Sequence, residues 1–149
     1  MNASTSARDD GSFATSRPFP YPATQLLNAF AHADRLARWW GPDGFTNQFE
    51  VFEFRPQGRW TFVMQGPDGQ RYPNACLFLE TGPQRIVIRH TVVPLFTLTI
   101  WLTETDGHTQ LHWHQAFDDP AVAAAVAHIV VPANEQNLNR LQALLDSGH

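Results

Sequence analysis

The sequence predicts one α+β domain in which a curved antiparallel sheet wraps around a long C-terminal helix and leaves a cavity between them. Three observations lead there. Six short apolar runs separated by turn signals occupy residues 49–114. Helical periodicity flanks them on both sides, and aromatic residues are abundant, with 11 Phe and 5 Trp. A strand-rich, aromatic composition of this kind suits a packed sheet.

The chain has 149 residues, close to the usual size of one domain. We expect residues 1–10 to be a polar, disordered tail and residues 11–149 to form the domain. Ser12 to Phe19 reads as an opening strand ended by Pro18 and Pro20. From Pro22, Leu26, Leu27, Phe30, Leu36 and Ala37 recur at spacings of three to four, the period of an amphipathic helix. Asp34 is the expected cap of a second short helix that reaches Trp39 and Trp40, and Gly41-Pro42 stops it.

Apolar runs then follow at 49–54, 59–64, 75–79, 85–90, 95–102 and 109–114. Between them stand Pro56-Gln-Gly58, Gly66-Pro-Asp-Gly69, Gly82-Pro83 and Asp106-Gly107, the last a hairpin signal. Six strands joined by tight turns make an antiparallel meander. After them, Ala121 to Val131 reads as a short helix, with Pro132 opening or kinking the next. Leu138, Leu141, Leu144 and Leu145 form one face of the last helix. A sheet curled around that helix must cover one face with it, and the space between them is rimmed by aromatics.

Composition excludes several functions. The formal net charge is −4, and all ten basic residues are arginine, so lysine chemistry is absent. No basic stripe offers itself to nucleic acid. The single cysteine, Cys76, cannot form an internal disulfide, which fits a reducing compartment. The N-terminus lacks a signal-peptide core, and no apolar stretch is long enough to span a bilayer. We therefore expect a cytoplasmic protein without membrane insertion. Exposed aromatic strand faces make a homodimer a further expectation.

Several strings resemble a known family: Leu36-Ala-Arg-Trp-Trp-Gly-Pro42, Phe54-Arg-Pro-Gln-Gly-Arg-Trp60, Val63-Met-Gln-Gly-Pro-Asp-Gly69 and Asn134-Glu-Gln-Asn-Leu138. With the order of elements, they resemble the SRPBCC (START-like) superfamily over about residues 13–146. Within it the chain is similar to the group named for homology to the activator of the heat-shock-protein-90 ATPase. The resemblance implies a helix-grip fold, as in START and Bet v 1 domains, with a hydrophobic ligand cavity. It does not choose among lipid carriers, cyclases and co-chaperones, which share the fold.

Candidate residues follow from the strand alternation. His112-Trp113-His114 puts both imidazoles on one side of a strand, and His90 ends another. If that side faced inward, the three would serve for proton transfer. The plainer reading is that Leu111 and Trp113 face the core while His112 and His114 face solvent or a subunit contact. Two histidines on one strand are half a zinc site, so no metal is expected, and no cofactor fingerprint is present. Alternation places Phe52 and Phe54 on the side of Glu50, and Phe49 and Val51 on the side of Glu53. Glu53 is thus either an inward acid with a raised pKa or a surface partner of Arg55 or Arg59.

Trp60, Phe62 and Met64 form one apolar face of their strand. With Trp39, Trp40, Phe78 and Trp101 they are the expected walls of the cavity, joined by His90 and by Leu138 from the last helix. Tyr72 and Asn74 are expected polar handles at its mouth, and Asn134 is the helix amide expected to look inward. The expected partner is a small hydrophobic molecule, aromatic or lipid-like. The alternatives are an acid–base enzyme using Glu53, His90, His112 or His114, and a co-chaperone-like interaction module.

Overall fold

The computed structural model describes residues 5–148; residues 1–4, part of the segment expected to be disordered, lie outside the described residues. The chain opens with β1 (Ser6–Ala7), β2 (Ser12–Phe19), α1 (Ala23–Ala31) and α2 (Ala33–Trp39). A meander follows: β3 (Thr46–Phe52), β4 (Gly58–Gln65), β5 (Arg71–Thr81), β6 (Arg85–His90), β7 (Phe96–Thr105) and β8 (His108–Phe117). The chain ends in α3 (Pro120–Asp146). The eight strands form one antiparallel sheet in the order β1-β2-β8-β7-β6-β5-β4-β3. This is the helix-grip fold, with α3 held across the inner face.

Three local readings are corrected. Ser6 and Ala7 pair with Ala14 and Phe13, so the sheet begins inside the segment expected as a tail. Helix α3 is continuous through Pro132 rather than two helices. Proline removes one backbone bond, to the carbonyl four residues back. Here His128 and Pro132 are both exposed, which puts the freed carbonyl on the solvent side. Finally, His32 rather than Asp34 caps α2, and Asp34 sits in its first turn, where the helix dipole favours an anion.

The helix starts where Asp119 accepts a hydrogen bond from the Ala121 N–H at 2.9 Å and Pro120 takes the first turn. Its second half buries Leu138, Leu141, Leu144 and Leu145. That half is also tied to the loop after α2. Arg140 donates to the carbonyls of Arg38, Trp40, Gly41, Pro42 and Phe45 at 2.9–3.1 Å. Asn137 Oδ1 accepts from the Gly41 N–H at 3.1 Å, and Gln136 Oε1 from the Asp43 N–H at 3.1 Å. The Trp-Trp-Gly-Pro and Asn-Glu-Gln-Asn strings therefore meet in space as one clamp. Gly41 in that loop has φ +98°, which an L-residue rarely adopts.

Candidate functional site

Strand alternation decides which side chains meet α3. In β4, Trp60, Phe62 and Met64 point inward; in β7, Leu98, Ile100 and Leu102 do; in β8, Leu111, Trp113, Gln115 and Phe117 do. Under the second half of α3 these positions close into a packed core. Trp60 stacks on Phe62 with centroids 4.3 Å apart and on Phe78 at 5.6 Å. Trp40 meets Trp39, Trp60 and Trp113 at 5.1–5.9 Å.

Under the first half of α3 the same sheet face is hollow. A cavity of about 300 Å³ lies there, roofed by Val126, Ile129 and Val130. Its walls include Trp40, Phe62, Met64, Phe96, Leu98 and Phe117, and its polar groups are Asn74, Cys76, His90 and Gln115. Ile129 both lines the cavity and is 58% exposed, which marks the opening. Beside it, Pro94 joins the lining from the loop that also exposes Val93 and Leu95.

His90 is the histidine of the lining. It is buried and stacks on Phe96 with centroids 4.5 Å apart. Its Nδ1 lies 2.8 Å from the Pro94 carbonyl oxygen and its Nε2 lies 2.7 Å from Asn74 Oδ1. Burial lowers its pKa, and the neighbouring Arg89 charge adds to this against the pull of backbone hydrogen bonds. Cys76, directly across from His90 in the sheet, has its thiol pushed up to about 12 by burial. On the other wall Asn134 Nδ2 donates to Gln115 Oε1 at 3.1 Å. Among the described residues no Asp, Glu or Arg lines the cavity.

The sequence-predicted residues divide into four groups. Trp40, Phe62, Met64 and His90 line the cavity. Trp39, Trp60, Phe78 and Leu138 lie in the packed core, away from the cavity lining. Asn134 touches the cavity wall through Gln115, and Tyr72 is 41% exposed, with its ring 5.9 Å from Phe45. Trp101, His112 and His114 are on the outer face, while Leu111 and Trp113 are buried inside.

Glu53 takes the surface position. A β-bulge between Phe49 and Val51 shifts the alternation, so Phe49, Phe52 and Phe54 pack on one side and the expected phase is lost. Glu53 then accepts from the Arg59 backbone N–H at 2.9 Å, which lowers its pKa, and pairs with Arg55 and Arg59.

Cys76 and Gln115 were missed as cavity residues. For Gln115 a signal existed, since it is in phase with Leu111 and Trp113 and is thus a polar residue at an inward position. The outer face carries a larger hollow of about 690 Å³, bordered by Arg8, Trp101, His112 and His114. It is the more open and the more polar of the two, so the apolar cavity beneath α3 is the better candidate. Among the described residues no cluster of three or more His, Cys, Asp or Glu could hold a metal, and no helix is long and apolar enough to cross a membrane.

A curved antiparallel sheet gripping one long helix over an apolar cavity defines a START-like domain, a class that includes ligand-binding and co-chaperone-type proteins. The chain belongs to the family described as Activator of Hsp90 ATPase homolog 1-like protein, which matches residues 20–146. Solved structures agree on the fold. Protein Ms6760 from Mycobacterium smegmatis is 22% identical, with a TM-score of 0.86 over 100% of both chains. A protein from Arthrobacter aurescens is 19% identical, with a TM-score of 0.91 over 99% of this chain and 93% of its own. Protein NE0264 from Nitrosomonas europaea is 21% identical, with a TM-score of 0.84 over 92% of this chain and 95% of its own. No curated protein matches the chain.

Proposed function

We propose that the protein binds a small, neutral, largely apolar molecule in the cavity beneath the first half of α3. The observation that carries this reading is the lining, which is apolar apart from four uncharged polar groups. An ionised ligand would be buried there without a counter-charge, at a cost of several kcal/mol. A neutral ligand gains roughly 25 cal/mol for each Å² of apolar surface removed from water. Size points the same way: a cavity of about 150 Å³ accommodates benzene, so about 300 Å³ suits a body of two fused rings.

Native mass spectrometry of freshly purified protein tests this. The expected result is a bound apolar molecule at one per chain that leaves only on unfolding, or a rise in Tm with added two-ring aromatics. An empty protein that none of these compounds stabilises would overturn the reading.

A second reading, acid–base catalysis, rests on His90, an imidazole inside the cavity whose pKa burial lowers from its ordinary value. It predicts turnover of the molecule so identified, lost in His90→Gln while binding persists.

A further inference from the structure

Gln115 is a polar residue in an apolar row. Across the inner face of the sheet its neighbours are Phe13 on β2 and Leu98 on β7, followed by Ile88 on β6 and Phe78 on β5, all of them buried. Gln115 is itself buried and lines the cavity. Its amide is only half used. Oε1 accepts from Asn134 Nδ2 at 3.1 Å, and Nε2 has no hydrogen-bond partner among the described residues. The other polar groups of the lining differ. Asn74 and His90 bond each other, and the second ring nitrogen of His90 is taken by the Pro94 carbonyl. The Cys76 thiol is a weak donor. An N–H at the wall of a cavity is served by water only while the cavity holds water. A bound hydrocarbon expels that water and leaves the donor unpaired, which costs the full desolvation of the group.

We infer that Gln115 sets the specificity of the cavity, and that the ligand carries a carbonyl oxygen that accepts from its Nε2. The inference rests on the cavity-binding reading and narrows it from neutral apolar molecules to carbonyl compounds with an apolar body. A carbonyl suits the position better than the alternatives. It accepts without bringing a donor that apolar walls would leave unpaired, and it carries no charge. A hydrocarbon strips the amide of water and returns nothing. A carboxylate accepts as well, but among the described residues no arginine lines the cavity to offset its charge. Asn134 acts through Gln115, as a positioning residue that holds the amide from the helix side.

The test is a calorimetric titration of the intact protein with flat two-ring probes. They are acetylnaphthalene, isopropenylnaphthalene (the same shape without the oxygen), naphthol and naphthoate. The ketone is expected to bind roughly tenfold tighter than the hydrocarbon, the worth of one well-placed hydrogen bond. Naphthoate is expected to bind weakest. In Gln115→Leu the advantage of the ketone should disappear while the hydrocarbon binds at least as well. Should that variant not fold, Gln115→Leu combined with Asn134→Leu removes both partners together, the milder change. Equal affinities for ketone and hydrocarbon in the unaltered protein would overturn the inference but leave the cavity reading standing. An advantage that survives Gln115→Leu would overturn it too, by assigning the oxygen to another group of the lining, as would a preference for naphthoate. So would naphthol outbinding the ketone, which would mean that the Gln115 and Asn134 amides are turned over and Oε1 faces the ligand. Failure of every probe to bind would sink the cavity reading and this inference with it.

Discussion

The two halves of α3 cover the same sheet with opposite results. The second half presents leucines, and beneath it Trp39, Trp60 and Phe78 are fully buried. The first half, from Ala121 to Val131, is mostly alanine and valine, and it roofs the cavity with Val126, Ile129 and Val130. Beneath it the inward-facing Leu98 and Phe117 line a void. The sheet face is apolar in both places, apart from Asn74, His90 and Gln115 at the cavity. Whether its face becomes core or cavity is decided by the reach of the helix above it, since interiors otherwise pack to crystal-like density.

The largest expected effect breaks the packed half. Trp60→Ala removes a ring that stacks on Phe62 and Phe78 and meets Trp40. It should cost about 3–5 kcal/mol, the usual range for a fully buried large aromatic. Urea denaturation would measure it, and a loss below about 1 kcal/mol would mean that this half is already loosely packed.

The next effect concerns the clamp that fixes the packed half. Arg140→Lys keeps the charge but cannot spread over five carbonyls, so several are left without a donor. A loss of about 2 kcal/mol is expected by the same measurement. A neutral result would show that water replaces the guanidinium in the loop after α2.

The sharpest comparison sits on one strand. Leu98 and Ile100 are inward neighbours on β7 and both are buried in the core, but only Leu98 also lines the cavity. Ile100→Phe should overpack the core at a cost of about 1–3 kcal/mol. Leu98→Phe has room to enter the void, so its stability should change by less than about 1 kcal/mol while probe binding is lost. Equal destabilisation of both variants, read from paired denaturation curves, would mean that the cavity wall does not yield to an added ring.

Much of this contrast was legible in the sequence. The inward stripe of Trp60, Phe62 and Met64 and the burial of Trp113 between two outward histidines follow from period two alone. The two strings that form the clamp were visible as well, although their meeting was not. Three things lay beyond reach for physical reasons. The bulge beside Glu50 shifts the strand phase by one residue, and nothing local in a run of Phe and Glu announces it. The continuity of α3 through Pro132 depends on solvent receiving one carbonyl, which is a property of the packed molecule. The exact membership of the cavity depends on how far α3 stands from each strand. So of Trp60 and Phe62, both inward on one strand and both in the core, only Phe62 also lines the cavity.

The smallest effect is a pH dependence that arises in the hollow half. The folded state holds His90 below its ordinary pKa of 6.5, chiefly through burial. The unfolded chain therefore takes up this proton at higher pH than the folded one. Its contribution to stability is complete above about pH 6.5 and is lost as pH falls toward the lowered folded value. The slope from one such group cannot exceed about 1.4 kcal/mol per pH unit. In His90→Gln this portion of the slope should vanish, leaving the carboxylates to act at lower pH. The comparison requires denaturation curves of both proteins at several pH values between 7 and 5. An unchanged slope would mean that protonated His90 is accommodated without loss, using both ring nitrogens as donors to Pro94 and Asn74. Cys76, which belongs to both the core and the cavity wall, adds nothing to this slope, because burial pushes its thiol up to about 12 and it remains protonated throughout that range.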